Sequence, residues 1–475
     1  MIDIFTDVTR KRIAKFIQNE ADRIIYNAEI FTILEGNVKV LLEQKMKDDL
    51  GQRSFDAAKF RQAPINVFRK IIDKLTNIYQ STVIRSVVDG NDSDEKLLRW
   101  YEEQLNMNRK MNISNEFFNA YLYNLIHIGL TNINPVTGMG KPFIRSIPNH
   151  EFLVMNDSET DPTSADVIIV FMGKCTIVAQ EHHIFWVFTD SQFAILNQEG
   201  DIMLEQMRDH EQDGMNILGT VPMIYTNNSD NQAMPGIQTD NKDMTLLIPL
   251  LLTDLNYAVK YQCFSIFVAI NLQDKSIELS PNSILSFASD GTAEGGSSFQ
   301  AVKPTVDISA VLSLASSQMS LWLTSKGLRP GAVGTLGVDQ FASGISKMID
   351  DSDTYESIKK QINTYVTTEA AFWEKLMHQI HPKWVSRNLI DNKTLFSPKA
   401  RVVTTFTKPI PLQSRGEMVK DTDLEVKSGF ISRKRAIKKL NPEMPDAEIE
   451  LLIKEIDEEK PFIDPLVENK PGVVA

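Results

Sequence analysis

The stretch 244–270 reads MTLLIPLLLTDLNYAVKYQCFSIFVAI and is the longest nearly apolar run in the chain. A bilayer span needs about 20 consecutive apolar residues. Here Asp254, Asn256 and Lys260 interrupt the run, and Pro249 lies near its start. The pattern therefore predicts a helix that is buried over much of its surface, and not a membrane span.

A second apolar helix follows after a compact insert. The segments SIELSPNSILSF and SSFQAVKP favour short strands, and the loop-forming ASDGTAEGGSS separates them. The helix itself is DISAVLSLASSQMSLWLTSKGL, 307–328, with Asp307 as its N-cap and Gly327 near its end.

The two helices predict a hairpin with exposed apolar sides. The side chains that carry this expectation are Leu250, Leu251, Phe264, Leu314, Leu321 and Trp322. An exposed apolar surface of this size indicates a protein partner. Identical neighbours in a closed ring would bury it without leaving an edge.

The segment 329–351, RPGAVGTLGVDQFASGISKMIDD, joins this hairpin to another long helix. Glycine-rich loops that open onto a helix often hold phosphate. This one lacks the Gly-Lys-Ser/Thr of a Walker loop, and its glycine spacing does not fit a dinucleotide loop that follows a strand. The helix predicted over 342–379 would be about 55 Å long.

The rest of the chain divides into helical and β-rich parts. Helices are predicted in the first third, including one from Ser93 and one that runs from Ser114 to Gly129. Short β-branched and aromatic runs fill about 142–227, and 401–411 alternates like a strand. Two helices, capped at Ser432 and Asp446, end the pattern. These features predict a mainly helical α+β fold.

Composition and motifs argue against an enzyme or a metal protein. The 475 residues allow two or three folding units, and the net charge of −12 does not suit tight binding of nucleic acid. Cys175 and Cys263 form no zinc or disulfide pattern, and His378 with His381 lacks a third ligand. The basic cluster at 433–439 is balanced by acids downstream. We expect no cofactor, no metal and no catalytic residues.

Taken along its whole length, the chain resembles the portal proteins of tailed bacteriophages. The resemblance rests on the order of elements and on several local patterns, since no single sharp motif carries it. The similar segments are APINVFRKIIDKLTNIY, PFIRSIPNHEFLVMND, ADVIIVFMG, ILGTVPMIYTNN, LLTDLNYAVKY, FASGISKMI and SGFISRKRAIKKLNPEMPDAEIELLIKEIDEE.

The resemblance implies a ring, usually of twelve subunits, through which DNA enters and leaves one capsid vertex. It assigns 1–242 and 342–411 to a wing that is first helical and then β-rich. It assigns 243–265 and 306–328 to two stem helices, 266–305 to a small α/β clip, 329–341 to a tunnel loop and 412–475 to a helical crown.

The same resemblance implies roles for particular residues. The tunnel loop would face the channel through Arg329, Val333, Thr335, Leu336, Val338 and Gln340. The clip would contact the terminase large subunit and a head-tail adaptor through Asp274, Lys275, Glu278, Asp290 and Glu294. Leu251, Tyr257, Phe264, Leu314 and Trp322 would pack the stem. Further partners would be the major capsid protein, a scaffold protein and double-stranded DNA bound without sequence specificity.

Two other functions remain open at this stage. A capsid or head-tail adaptor subunit without a channel would leave the hairpin and the glycine-rich loop unexplained. A nucleotide-dependent motor would need the lysine motif that 329–351 lacks. In the portal interpretation the protein belongs to the virion and is assembled in the host cytoplasm, without a membrane.

Overall fold

The structure, a computed structural model, is a mainly helical α+β fold. It describes residues 2–80, 83–131, 133–158, 161–177, 180–207, 214–263, 266–270, 298–302, 307–328, 352–407, 415–441, 444 and 446–458. The chain forms two compact units, one spanning Met1–Asp339 with Ser352–Lys408 and the other spanning Gln340–Asp351 with Pro409–Ala475.

The larger unit contains ten α-helices in its described part. They are α1 Asp7–Asn19, α2 Ala21–Leu34, α3 Val38–Ala58, α4 Val67–Leu75, α5 Asp92–Leu105, α6 Met107–Tyr121, α7 Thr239–Cys263, α8 Ile308–Ser325, α9 Ser352–Lys375 and α10 His381–Ser386. The smaller unit contributes α11 Arg415–Lys427, α12 Arg433–Leu440 and α13 Asp446–Glu458.

The strands of the larger unit form four antiparallel sheets. They are β1 Val83–Val88, β2 Tyr123–Thr131, β3 Lys141–Ile147, β4 Phe152–Met155, β5 Val167–Ile177, β6 Gln180–Phe188, β7 Phe193–Leu196, β8 Met223–Asn227, β9 Ile266–Ile270, β10 Ser298–Val302 and β11 Arg401–Phe406. The sheet orders are β3-β2-β8, β4-β5-β6-β7, β1-β11 and β10-β9. The β1-β11 pair joins residues 83–88 to the last strand of this unit.

Two buried clusters form most of the core. One joins α1, α2 and α4 to the four-stranded sheet and to the end of α8. The other joins α5 and α6 to α9, α10 and the β1-β11 sheet. The residues from α9 to β11 therefore pack onto α5, α6 and β1, which lie far before them in the sequence.

The predicted helix from Ser114 to Gly129 is wrong at both ends. Helix α6 begins at Met107, so Ser114 is a buried residue inside the helix and not its start. Helix α6 ends at Tyr121, where Leu122 has a left-handed backbone with φ of 66°, and β2 follows at once. Strand β2 lies between β3 and β8, and most of both its faces are buried. A strand buried on both faces has a continuous apolar run, which periodicity does not distinguish from a helix.

The start of α5 also differs from the prediction. Asn91, and not Ser93, is the N-cap, because its side-chain oxygen accepts hydrogen bonds from the backbone N–H groups of Ser93 and Asp94. The Asp94 carboxylate in turn accepts from the Asn91 N–H at 2.8 Å, which completes a capping box. The caps predicted at Asp307 and Ser432 are confirmed.

The long helix continues further than the predicted 342–379. Its described part begins at Ser352, passes through a π-helical turn at Leu376–Ile380 and ends with α10 at Ser386. Pro382 does not end it, because proline is tolerated in the first turn of α10, where its missing N–H is not needed. Residues 342–351 lie outside the described part.

The burial of His127 in β2 can be tested by the pH dependence of stability. Burial and the nearby Arg145 lower the pKa of His127 from 6.5 to about 4. The folded state therefore favours neutral imidazole, and stability present above pH 6.5 is lost as the pH falls toward the folded value. We expect the drop in unfolding free energy between pH 7 and pH 5 to be about 2 kcal/mol smaller in His127→Phe than in the parent. Urea titrations of the two proteins at both pH values measure these drops in unfolding free energy. Equal drops would contradict the burial of a neutral His127 in the folded state.

Candidate functional site: a helical hairpin with a β insert

The most distinctive surface of the larger unit is a hairpin made by α7 and α8. Helix α7 leads to β9, β9 pairs antiparallel with β10, and the chain returns through α8. Just after α8, the Lys326 ammonium contacts the Asp240 carboxylate at the start of α7, with 2.8 Å between Nζ and Oδ2. The two helices therefore run in opposite directions, with the small sheet at their far end.

The near end of α8 is fixed in the main core. Met319, Leu323 and Leu328 are buried there, and the Trp322 ring stacks on Phe68 with 6.4 Å between centroids. Trp322 is only 4% exposed, so the predicted exposure of this side chain is wrong. A tryptophan at this point anchors the hairpin to the body of its own subunit.

Helix α7 is held over 250–257, around and beyond its midpoint, by α3 and by the segment that follows α3. The Thr253 hydroxyl accepts a hydrogen bond from the backbone N–H of Ala63 at 3.1 Å and donates to the Pro249 carbonyl at 2.7 Å. The Asn256 side chain donates to the Arg61 carbonyl at 3.2 Å. Tyr257 and Leu250, both partly buried, pack against the small cluster of Leu42, Met46 and Phe55.

Away from these anchors α8 shows an apolar and uncharged surface. Leu314 is 49% and Leu321 is 73% exposed on α8, and Val259 is partly exposed on α7. Helix α8 contains no charged residue between Ile308 and Ser325, and serines occupy much of its exposed side. An exposed helix without charge is unusual in a free protein, because solvent-facing positions are normally charged or strongly polar.

The structure describes only some of the predicted site residues. The stem residues Leu251 and Tyr257 are partly buried on α7, Leu314 is exposed on α8, and Trp322 is in the core. Outside the described residues lie Phe264, the predicted tunnel-loop residues (Arg329, Val333, Thr335, Leu336, Val338 and Gln340) and the predicted clip residues (Asp274, Lys275, Glu278, Asp290 and Glu294). The helix bounds predicted as 243–265 and 306–328 correspond to α7 and α8 within a few residues.

A buried ion pair, absent from the sequence predictions, fixes α9 against β1. The Glu369 carboxylate of α9 accepts two hydrogen bonds from the Arg85 guanidinium of β1, both at 2.6 Å. It also accepts from the Tyr79 and Thr404 hydroxyls at 2.7 Å. Glu369 is fully buried and the Arg85 side chain is 1% exposed. We call these four residues the Arg85 clamp.

Both charged residues of the clamp left a signal in the sequence. Inward positions alternate along β1, and Arg85 occupies one between Val83 and Val87. Glu369 lies on the apolar face of α9, four residues after Tyr365 and three before Phe372. A charge at an inward position requires a buried partner. The sequence does not show which carboxylate pairs with Arg85. The pairing of β1 with β11 decides this, and the two strands are more than 300 residues apart in the chain.

The described part of the chain holds neither a cluster of metal ligands nor a bilayer-spanning helix. No group of three or more His, Cys, Asp or Glu side chains is placed there to hold a metal ion. None of its helices combines the length and apolar character that crossing a bilayer requires.

Comparisons with known proteins give a weak structural likeness. No family model matches the chain, and no curated protein matches its sequence. A chain from the neck of an empty gene transfer agent (GTA) particle, computed with C6 symmetry, is similar at a TM-score of 0.40 and 9% identity, over 79% of this chain and 90% of the other. A chain of the native GTA virion is similar at a TM-score of 0.38 and 10% identity, over 86% and 93%.

A chain from the neck of the native GTA particle, computed with C12 symmetry, is similar at a TM-score of 0.36 and 10% identity, over 79% of this chain and 89% of the other. TM-scores and identities of this size carry no conclusion about function. Function is therefore inferred below from the residues of this chain.

Proposed function

We propose that the chain is a portal protein, the subunit of a ring that forms the DNA channel at one vertex of a phage-like capsid. The observation that carries the proposal is the α7–α8 hairpin, which is anchored at one end, bears a β insert at the other and exposes an uncharged apolar side. Such a side becomes stable when identical neighbours cover it. A ring of about twelve copies would do so.

In this proposal each part of the fold has a place. The larger unit without its hairpin is the wing, α7 and α8 are the stem, and the insert that includes β9 and β10 is the clip. The segment 329–341 is the tunnel loop, and α11 to α13 belong to the crown. The Arg85 clamp would hold α9, which follows the tunnel loop, in a fixed position while DNA passes.

The proposed channel has no enzymatic role of its own. A separate terminase motor would bind the clip and supply the energy of packaging, and a head-tail adaptor would bind there afterwards. The wing would face the major capsid protein and a scaffold protein. The uncharged α8 supports this role, because a surface without lysine or arginine does not retain phosphates as DNA moves.

The ring is tested by measuring the mass of the native assembly. We expect a closed ring near twelve subunits, and a monomer at micromolar concentration would contradict the proposal. The variant Leu314→Glu with Leu321→Glu should be folded but monomeric, because each neighbour contact would bury two unpaired carboxylates, and burying a charge costs several kcal/mol.

The matched control for this variant is Val136→Glu with Val8→Glu. Both valines are at least 80% exposed, and neither lies on the hairpin. The control should form rings like the parent. A capsid or adaptor subunit without a channel would give assemblies in which the Leu314 and Leu321 positions have no effect.

A further inference from the structure

A cleft of about 1050 Å³ lies in the larger unit, outside the hairpin. Two sheets form its walls. In each sheet, the pairing of the strands places the lining side chains next to one another. In the first sheet His127 pairs with Arg145 and Gly129 pairs with Phe143. In the second sheet the facing side chains are Trp186, Phe188, Phe193 and Ile195. We call this the aromatic cleft.

Gly129 determines the shape of the first wall. A Cβ at this position would lie 2.7 Å from the Phe143 ring, which is closer than real contacts allow. Glycine therefore lets the Phe143 ring lie across β2, where it also meets His127 edge-on at 5.4 Å. The sequence pattern predicts that Gly129 ends a helix, and the structure gives it this different role.

The opposite wall is a packed aromatic surface. The Trp186 ring meets Phe188 at 6.1 Å and Phe193 at 6.0 Å, both edge to face. Trp186 remains partly exposed, and Met215 at the rim is 68% exposed. The cleft thus has an apolar floor, and a bound ligand would displace water from its aromatic surface.

The charge of the cleft is opposite to that of the chain. The chain carries a net charge of −12, yet the described side chains that line the cleft include Arg145 and Arg387 and no acid. Both arginines are exposed, and in the described part of the chain neither forms an ion pair with a carboxylate. The Nδ1 atom of His127 is buried there without a hydrogen-bond partner among the described residues.

We propose that the aromatic cleft binds an extended acidic segment of another protein of the same particle, with an aromatic or aliphatic side chain as its anchor. The partner's place in the particle rests on the proposed function, whereas the chemistry of the segment rests on the cleft alone. Guanidinium groups pair bidentately with carboxylates, and aromatic pockets hold the anchors that dominate binding energy. An acidic, apolar-anchored segment satisfies both features.

The test uses two labelled peptide probes and the full chain. Each probe has about ten residues, with Phe, Ile and Leu at alternate positions as the anchors. One carries Asp and Glu between the anchors and the other carries Lys. Fluorescence anisotropy measures both affinities. We expect the acidic probe to bind at least about tenfold more tightly than the lysine probe.

Three variants locate the binding. Arg145→Glu with Arg387→Glu should weaken the acidic probe at least about tenfold. Met215→Asp, at the exposed rim, should also weaken it and leaves the aromatic floor in place. The control Lys70→Glu with Arg109→Glu makes the same charge change at two exposed positions outside the cleft and should leave the affinity within about twofold of the parent.

Three outcomes would overturn the proposal. They are equal affinity for the two probes, no measurable binding of the acidic probe, and equal losses in the arginine variant and its control. If Arg145→Glu with Arg387→Glu instead abolishes ring formation and leaves probe binding unchanged, a neighbouring copy covers the cleft and the proposal fails. Failure of the parent to form rings would contradict the proposed function and would leave the probe result unaffected.

Discussion

Replacing Glu369 with alanine is expected to lower the free energy of unfolding of the larger unit by about 3–5 kcal/mol. The substitution removes the carboxylate that accepts four hydrogen bonds, from Arg85, Tyr79 and Thr404. It leaves the Arg85 guanidinium buried, with Glu102 and Asn108 as its remaining side-chain partners. Urea unfolding of Glu369→Ala beside the parent measures the loss.

Two further variants separate the clamp from a general effect of the substitution. Glu374→Ala removes an exposed carboxylate from the same helix and should change stability by about 0.5 kcal/mol or less. Arg85→Met with Glu369→Leu removes both charges, and we expect it to be more stable than Glu369→Ala, because no buried guanidinium is then left without its bidentate carboxylate. A loss under about 1 kcal/mol in Glu369→Ala would show that the pair is not a clamp.

Lysine at positions 333, 336 and 338 is expected to stall DNA in the proposed channel. Val333→Lys, Leu336→Lys and Val338→Lys together place three positive charges per subunit on the proposed tunnel loop, and a ring of about twelve repeats them into a dense collar. Each passing phosphate would be held by this collar, so packaging or ejection should slow by about tenfold or more at low salt. The effect should shrink at high salt, where screening is stronger.

Packaging assays over a range of salt concentrations measure this effect. The control is Val8→Lys, Val40→Lys and Val136→Lys, which adds the same charge at three exposed positions outside the loop. The loop variant should assemble, because these residues are not expected to hold subunits together. If the loop variant packages DNA at the parent rate at every salt concentration, 329–341 does not line the channel.

Much of the architecture followed from local sequence patterns. Alternation predicted β11, a capped apolar pattern predicted α8 within a few residues, and the α+β class is confirmed. These succeeded because each element has one buried face, so its periodicity is visible in the chain itself. The apolar run 244–270 predicted α7 but extended too far, because α7 ends at Cys263 and 266–270 form β9. The strand β2 was missed because both of its faces are largely buried and its apolar run has no period.

The sequence by itself determined the local elements, the uncharged character of α8 and the lack of a nucleotide motif in 329–351. Only the tertiary structure decided which distant residues meet. It brought Arg85 to Glu369 through the β1-β11 pairing, buried Trp322 against Phe68 and built the aromatic cleft from two sheets. The physical reason is that side-chain periodicity records which face of an element is buried, whereas strand pairing and helix packing choose the partner that buries it.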